Sequence, residues 1–170
     1  MPEPGPASLS REAFIARYGG IYEHSPWVAE TVFEERASSA PAALAEPMAQ
    51  VVEMAGPNRQ LALLRAHPEL AGKLAVRGGL TADSRSEQAS ARLDQCSPEE
   101  FARFTELNSQ YRAKFGFPFI IAVRGLQRAG ILAAFEQRIG NSAQTEFRTA
   151  LDQVHKIARL RLAALDQSPA

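Results

Sequence analysis

Cysteine is almost missing from this chain: Cys96 is its only one. A single thiol closes no internal disulfide and builds no thiolate metal site, which suits a reducing compartment, the cytoplasm being the default. Long apolar runs are missing too. No stretch approaches the ~20 consecutive apolar residues needed to cross a bilayer. Residues 1–8 are proline-rich, lack the charged-then-apolar layout of a signal peptide and are expected to form a flexible tail. The chain ends Gln167-Ser168-Pro169-Ala170, without a peroxisomal tripeptide. Neither sign of charge is in excess, since 19 Lys and Arg offset 19 Asp and Glu. That leaves no electrostatic footprint for nucleic acid or for an anionic membrane.

Chemical signatures are missing as well. There is no His-Glu-x-x-His, no cysteine pair, no glycine-rich phosphate loop and no Gly-x-Ser-x-Gly. Gly78-Gly79 has no dinucleotide fingerprint around it. Metal-dependent hydrolysis, nucleotide binding and serine-hydrolase chemistry all lose ground.

What remains is an ordinary globular balance, 45% apolar and 22% charged over 170 residues, which is enough for one domain that needs no staples. Strand signals are confined to residues 117–123, too isolated to make a sheet. The punctuation is helical. Ser25-Pro26 and Ser97-Pro98 each set a capping serine before a proline at the first helical position. After Ser97, Glu99 and Glu100 suit the positive helix end. Phe101, Phe104, Leu107, Tyr111 and Phe115 then recur at three- or four-residue spacing as one apolar stripe. Phe147, Leu151, Val154, Ala158 and Leu162 mark a second long amphipathic helix. Ile131, Leu132, Phe135 and Ile139 mark a shorter one, stopped by Gly140. Val51 and Met54, then Leu61 and Leu64, suggest two more helices around the Gly56-Pro57-Asn58 turn. Phe14 and Tyr18 lie on a first helix ending at Gly19-Gly20. Residues 37–45 read either as a linker or, from Pro41, as the start of a helix. The expected architecture is all-α, a single compact multi-helix domain over residues 1–170.

Three histidines are candidates for chemistry. His155, amid a mixed face of the last helix, reads as a surface histidine. His24, before Ser25-Pro26-Trp27, reads as support for a helix start. His67 precedes Pro68, so it leaves the right-handed helical region and marks a break. Breaks turn side chains into clefts, where function concentrates; a structural histidine is an equally good reading of the position alone. In Ser84-Arg85-Ser86-Glu87-Gln88, serine followed three residues later by glutamate matches a capping box. The same residues would also set a hydroxyl, a carboxylate and an amide around a helix N-terminus, a place that favours polar ligands. Residues 117–123, a bulky apolar run, read first as core; yet Gly116 and Pro118 break the preceding helix and leave backbone donors and acceptors that a planar, amide-rich ligand could use.

At these segments the chain resembles the OHCU decarboxylases, which act on 2-oxo-4-hydroxy-4-carboxy-5-ureidoimidazoline. The matching stretches are Ile21-Tyr22-Glu23-His24-Ser25-Pro26-Trp27-Val28-Ala29-Glu30 and His67-Pro68-Glu69-Leu70-Ala71-Gly72-Lys73. They continue with Ser84-Arg85-Ser86-Glu87-Gln88, then with Asn108-Ser109-Gln110-Tyr111-Arg112-Ala113-Lys114-Phe115-Gly116-Phe117-Pro118-Phe119-Ile120. The last is Ile157-Ala158-Arg159-Leu160-Arg161-Leu162. The resemblance implies an all-α fold of that type, no cofactor and no metal, a homodimer, and decarboxylation of OHCU to (S)-allantoin. By the same resemblance His67 is catalytic and Glu87 its acidic companion. Pro68, Ser84, Arg85, Ser86, Gln88, Phe119, Ile120, Ile121, Ala122, Val123 and Arg161 would bind substrate. A histidine fits proton management because its ordinary pKa, about 6.5, lies near working pH. A binding module without turnover, or an enzyme acting on a neighbouring ureide, would use the same cleft.

Overall fold

A computed structural model of the chain describes residues 4–36 and 40–167. Among them are nine α-helices and no strand: α1 Arg11–Tyr18, α2 Trp27–Val32, α3 Ala45–Met54, α4 Pro57–Arg65, α5 Lys73–Arg77, α6 Ala82–Ser90, α7 Pro98–Phe115, α8 Arg128–Arg138 and α9 Ala143–Asp166. Residues 1–3 of the expected tail, 37–39 of the ambiguous stretch and the final 168–170 lie outside the described residues. The chain divides into two units: Met1–Ala66 with Val154–Ala170, and His67–Gln153. No helix among the described residues is long and apolar enough to cross a membrane.

The first unit packs Phe14, Tyr18, Tyr22, Val28, Val32, Met48, Val52, Leu63, Leu64, Val154 and Leu162 at 2% exposure or less. The segment expected to be a flexible tail has structure from Gly5 onward. Pro6–Ser8 form a 3-10 turn with Pro6 buried, because the Arg36 guanidinium, lying over the Phe33 ring, donates Nε to Pro6 O (3.0 Å) and Nη2 to Leu9 O (3.0 Å). Pro41 does open a helical turn, Pro41–Leu44, that leads into α3. Ser25 does not cap α2: its Oγ donates to Glu23 O at 2.9 Å, and the helix starts from Pro26. His24 is exposed and takes a left-handed φ of 47° just before that start.

His155 departs most from expectation in this unit. It is buried, 7% exposed, with Nδ1 2.8 Å from Tyr22 Oη and Nε2 2.8 Å from Glu53 Oε1. Burial raises the Tyr22 hydroxyl pKa, so the phenol stays protonated and donates to Nδ1, leaving the Nε2 hydrogen for Glu53. Local periodicity placed this histidine on a mixed face. Its partners stand 133 and 102 residues away, and no local pattern reports them.

The second unit is organised by α7. Ser97 Oγ accepts from Glu100 N (3.1 Å) while the Glu100 carboxylate accepts from Ser97 N (3.0 Å), with Pro98 at the first helical position. Two end donors are thus satisfied reciprocally, a cap worth about 0.5–2 kcal/mol. Gly116, at a φ of 78°, closes the helix; a side chain there would be strained. Phe104, Leu107 and Tyr111 are buried as the stripe requires, whereas Phe101, at its margin, is 41% exposed. The run 117–123 is irregular rather than a strand.

Candidate active site

Three stretches of the second unit meet at α6. That helix starts earlier than its serine-glutamate pattern suggests: Thr81 is the N-cap, its Oγ1 accepting from Ser84 N at 3.2 Å, with Asp83 in the first turn. Ser84 and Glu87 therefore lie inside the helix, and the capping-box reading is overturned. Two capping patterns overlap here, Thr81 with Asp83 and Ser84 with Glu87, and Thr81 is the one that caps the helix. Inside the helix, Ser84 and Gln88 stand four residues apart on one face, exposed by 4% and 5%. Glu87 is half-buried between the exposed Ser86 and buried Gln88, and Arg85 is exposed.

Gln88 reaches the loop carrying His67. Its Oε1 accepts from Ala71 N (3.1 Å) and its Nε2 donates to Glu69 O (3.2 Å). From α7, Asn108 donates Nδ2 to Leu70 O at 2.9 Å, and Arg112 Nε lies 3.1 Å from Glu69 Oε1. Three consecutive residues of the loop are thus held by amide side chains from two helices. The loop needs the help. Ala71 has a left-handed φ of 49°, which costs a residue with a Cβ about 1–2 kcal/mol. A Cβ on Gly72 would stand 2.8 Å from Glu69 Cβ. His67, at the head of this loop, is 7% exposed, and Pro68 beside it is half-buried. Two cavities border the loop. One of 410 Å³ includes Ala71, Leu80, Gln88, Leu93 and Phe101 in its lining. The other, of 620 Å³, includes Glu69, Ala71, Gly72 and Asn108.

The third stretch is 117–123, and its end comes to α6 where Arg124 Nη2 stands 3.5 Å from Ser86 Oγ. Several of the backbone groups expected to be available for ligand are already engaged. Ile120 O accepts from Arg138 Nη1 (2.7 Å), Ala122 N donates to Gln153 Oε1 (2.9 Å), and Val123 O accepts from Leu126 N (3.0 Å). Phe119 is 1% exposed, stacks on Phe135 at 3.9 Å and lies under the Arg138 guanidinium at 4.4 Å. Ile121 alone among residues 117–123 is half-exposed.

A charged network that the sequence reading missed supports this stretch. Glu146 is fully buried and accepts from Arg138 Nη2 (2.9 Å), Asn141 Nδ2 (2.9 Å) and the Tyr111 hydroxyl. Burial alone would raise the Glu146 pKa, but hydrogen bonds from Arg138, Tyr111 and Asn141 outweigh it and hold the carboxyl below its ordinary range. Tyr111, buried against that carboxylate, has its hydroxyl pKa pushed up. Arg138 lies in the last turn of α8. An arginine and a glutamate facing each other across the Gly140 turn were the available signal.

Arg161 belongs to the first unit, where its fork is occupied. Nη2 meets Glu23 Oε2 at 2.8 Å, and Nη1 donates to Gly20 O (3.1 Å) and Ile21 O (3.4 Å). Both side chains are buried, 4% and 1% exposed. The expected substrate fork is therefore anchored first by protein groups, and its partner Glu23 comes from the Tyr22-Glu23-His24-Ser25-Pro26-Trp27 motif. Among the described residues, no group of three or more His, Cys, Asp or Glu side chains is arranged to hold a metal ion.

With the fold and these segments in place, comparison with known proteins is direct. The OHCU decarboxylase family matches residues 7–163, and the chain belongs to that family. It is 48% identical over 155 residues to the 2-oxo-4-hydroxy-4-carboxy-5-ureidoimidazoline decarboxylase of Haloferax volcanii, covering 91% of this chain and 90% of that one. Among solved structures it is similar to an (S)-allantoin synthase, with a TM-score of 0.74, 33% identity, and coverage of 94% of this chain and 52% of that one. An OHCU decarboxylase structure determined in the presence of (S)-allantoin has the same fold, with a TM-score of 0.72, 22% identity, and coverage of 94% and 100%.

Proposed function

We propose that this chain decarboxylates OHCU to (S)-allantoin and CO2 in urate breakdown, with His67 managing the proton and no cofactor. The observation that carries the reading is the placement of His67: a buried imidazole at a helix break, on a strained loop anchored to α6 and α7. The family match over 7–163 supports it independently.

The chemistry needs little from the protein. Loss of CO2 leaves an electron pair on the former carboxyl carbon, and the adjacent ring C=N accepts it, giving an enol-like species. A cofactor electron sink is unnecessary on that route. His67 takes the hydroxyl proton as the C–C bond breaks, a contribution of about 10²–10⁴-fold in rate for a positioned acid–base group. The hydroxyl carbon becomes C=O, and the ring nitrogen that received the electron pair takes one proton. A second proton adds to one face of the ureido-bearing carbon to give (S)-allantoin, one of the two coming back from His67 and the other from solvent. Glu87 holds the imidazole or a ring N–H. Pro68, Ser84, Arg85, Ser86 and Ile121 border the substrate, with Gln88 and the backbone of residues 119–123 behind them. Arg161, its guanidinium oriented by Glu23, is the residue proposed to bind a substrate carboxylate or ureido oxygen. The two units are read as one functional domain. A homodimer in the cytoplasm completes the reading; family resemblance supports the first, and the lone cysteine the second.

The test is circular dichroism during urate degradation, with urate oxidase and hydroxyisourate hydrolase generating OHCU in place. The expected result is faster appearance of a single-handed allantoin signal when the protein is added. Slow, racemic allantoin in the presence of folded protein would favour ligand binding without turnover. Consumption of allantoin itself would favour a neighbouring-ureide enzyme.

A further inference from the structure

We propose that Tyr22 and His155 serve the reaction as positioning residues: with Glu53 they form a hydrogen-bonded relay that locks loop 20–23 against α9, and that loop in turn sets the Arg161 guanidinium; this rests on the reading of Arg161 above. Arg161 Nη2 meets Glu23 Oε2, while Nη1 donates to Gly20 O and Ile21 O. Acceptors on both terminal nitrogens fix the reach and the plane of the fork, and the use of a fork for a planar carboxylate or ureido group lies in that plane. The residues that supply them lie between α1 and α2, outside any helix, so their placement depends on what holds the loop. Between Ile21 and Glu23 the Tyr22 hydroxyl stands 2.8 Å from His155 Nδ1, and His155 Nε2 stands 2.8 Å from Glu53 Oε1 on α3. Tyr22 and Glu23 are neighbours in the chain, and α9 takes hold of both, one through His155 and the other through Arg161. All four side chains belong to residues exposed by 7% or less.

The chemical type of the relay points the same way. Apolar packing would fix where the loop sits, whereas hydrogen bonds also fix its direction. Burial keeps the Tyr22 hydroxyl protonated, so it stays a donor to Nδ1 and places the imidazole hydrogen on Nε2, facing Glu53. The two rings also meet edge to face at 5.9 Å, which holds the imidazole in that orientation. Glu53 is 41% exposed, so the outer end of the relay tolerates substitution better than its buried middle. Tyr22 and His155 act through the loop and not on the substrate. Releasing them should therefore loosen the grip of Arg161 on its ligand and leave the proton step at His67 alone.

Tyr22→Phe removes one hydroxyl and keeps the ring. The expected outcome is a KM raised about 3–10-fold, the size of one weakened hydrogen bond, with kcat within about twofold of the parent. In an Arg161→Lys background the fork is gone, and Tyr22→Phe should then add little to KM, because both changes act along one path. NMR gives a readout that does not depend on turnover: in Tyr22→Phe the Arg161 guanidinium hydrogens should exchange with solvent faster. Should Tyr22→Phe not fold, Glu53→Ala carries the test from the exposed end, raising KM by about 2–5-fold. A folded Tyr22→Phe protein that melts lower but keeps the parent KM would overturn the proposal and leave the relay a stability element. A lowered kcat at unchanged KM would overturn it as well, since the relay would then serve the chemical step. Unaltered guanidinium exchange would break the link from the loop to Arg161. If Arg161→Ala itself left KM and kcat untouched, the reading of Arg161 would fail, while the exchange measurement still decided the relay.

Discussion

Residues 67–72 and 117–123 are both irregular, and both have most of their residues buried, yet different chemistry holds them. The first is gripped by neutral amides, Gln88 and Asn108. The second hangs on a buried ion pair, Arg138 with Glu146, backed by Tyr111, Asn141 and the neutral Gln153. Buried charge is strong when paired and costly when broken, which suits a segment that only has to stay put. The difference separates a segment pinned by a buried ion pair from one whose backbone is gripped by side-chain amides.

The sharpest way to break this contrast is to open the ion pair. Arg138→Met should cost roughly 3–5 kcal/mol in urea unfolding, because it strands a buried Glu146 carboxylate; a loss under about 1 kcal/mol would put the pair in the weak class of surface ion pairs. pH extends the same test. The folded-state Glu146 pKa is depressed from its ordinary 4.5. Its contribution is therefore present above pH 4.5 and drains away as pH falls through the depressed value. Stability measured from pH 6 downward should fall in the wild type and fall less steeply in Glu146→Gln. Equal slopes would remove Glu146 as the source.

Backbone substitutions probe the amide-held loop. Gly72→Ala forces a Cβ to within 2.8 Å of Glu69 Cβ and should cost about 1–3 kcal/mol, as overpacking does. Ala71→Gly should be near neutral, within about 1 kcal/mol, because relief of left-handed strain offsets the added freedom of the unfolded chain. If the two exchanged rank in thermal unfolding, the description of the loop would be wrong. The smallest effect belongs to its rim. Glu69 and Arg112 are 30% and 48% exposed, so Arg112→Ala should cost under about 1 kcal/mol and lose its effect in high salt.

Local punctuation made much of the fold legible in the sequence. Ser97, Pro98, Glu100 and Gly116 bound α7 as their types dictate, and Gly19 and Gly56 fall where helices stop and start. The site was legible as segments, not as contacts. His67 at a break could be read from Pro68, whereas the Ser84–Glu87 spacing suggested a cap and the helix starts at Thr81 instead. That Gln88 turns to a loop 17 and 19 residues back, or that Arg161 meets a glutamate 138 residues away, is settled by tertiary packing. That Thr81 rather than Ser84 caps α6 was not legible because the helix is polar, so no apolar period marked its start. Phe119, implied by the resemblance to bind substrate, is buried and stacks on Phe135, a contact no local pattern reports.

The measurement closest to the central claim is the rate of single-handed allantoin formation by His67→Asn beside the wild type, with thermal unfolding of both. The account expects a loss of about 10²–10⁴-fold at an unfolding temperature close to that of the parent. A folded His67→Asn protein within tenfold of wild-type turnover would contradict it, and the proton carrier would have to be sought elsewhere in the chain.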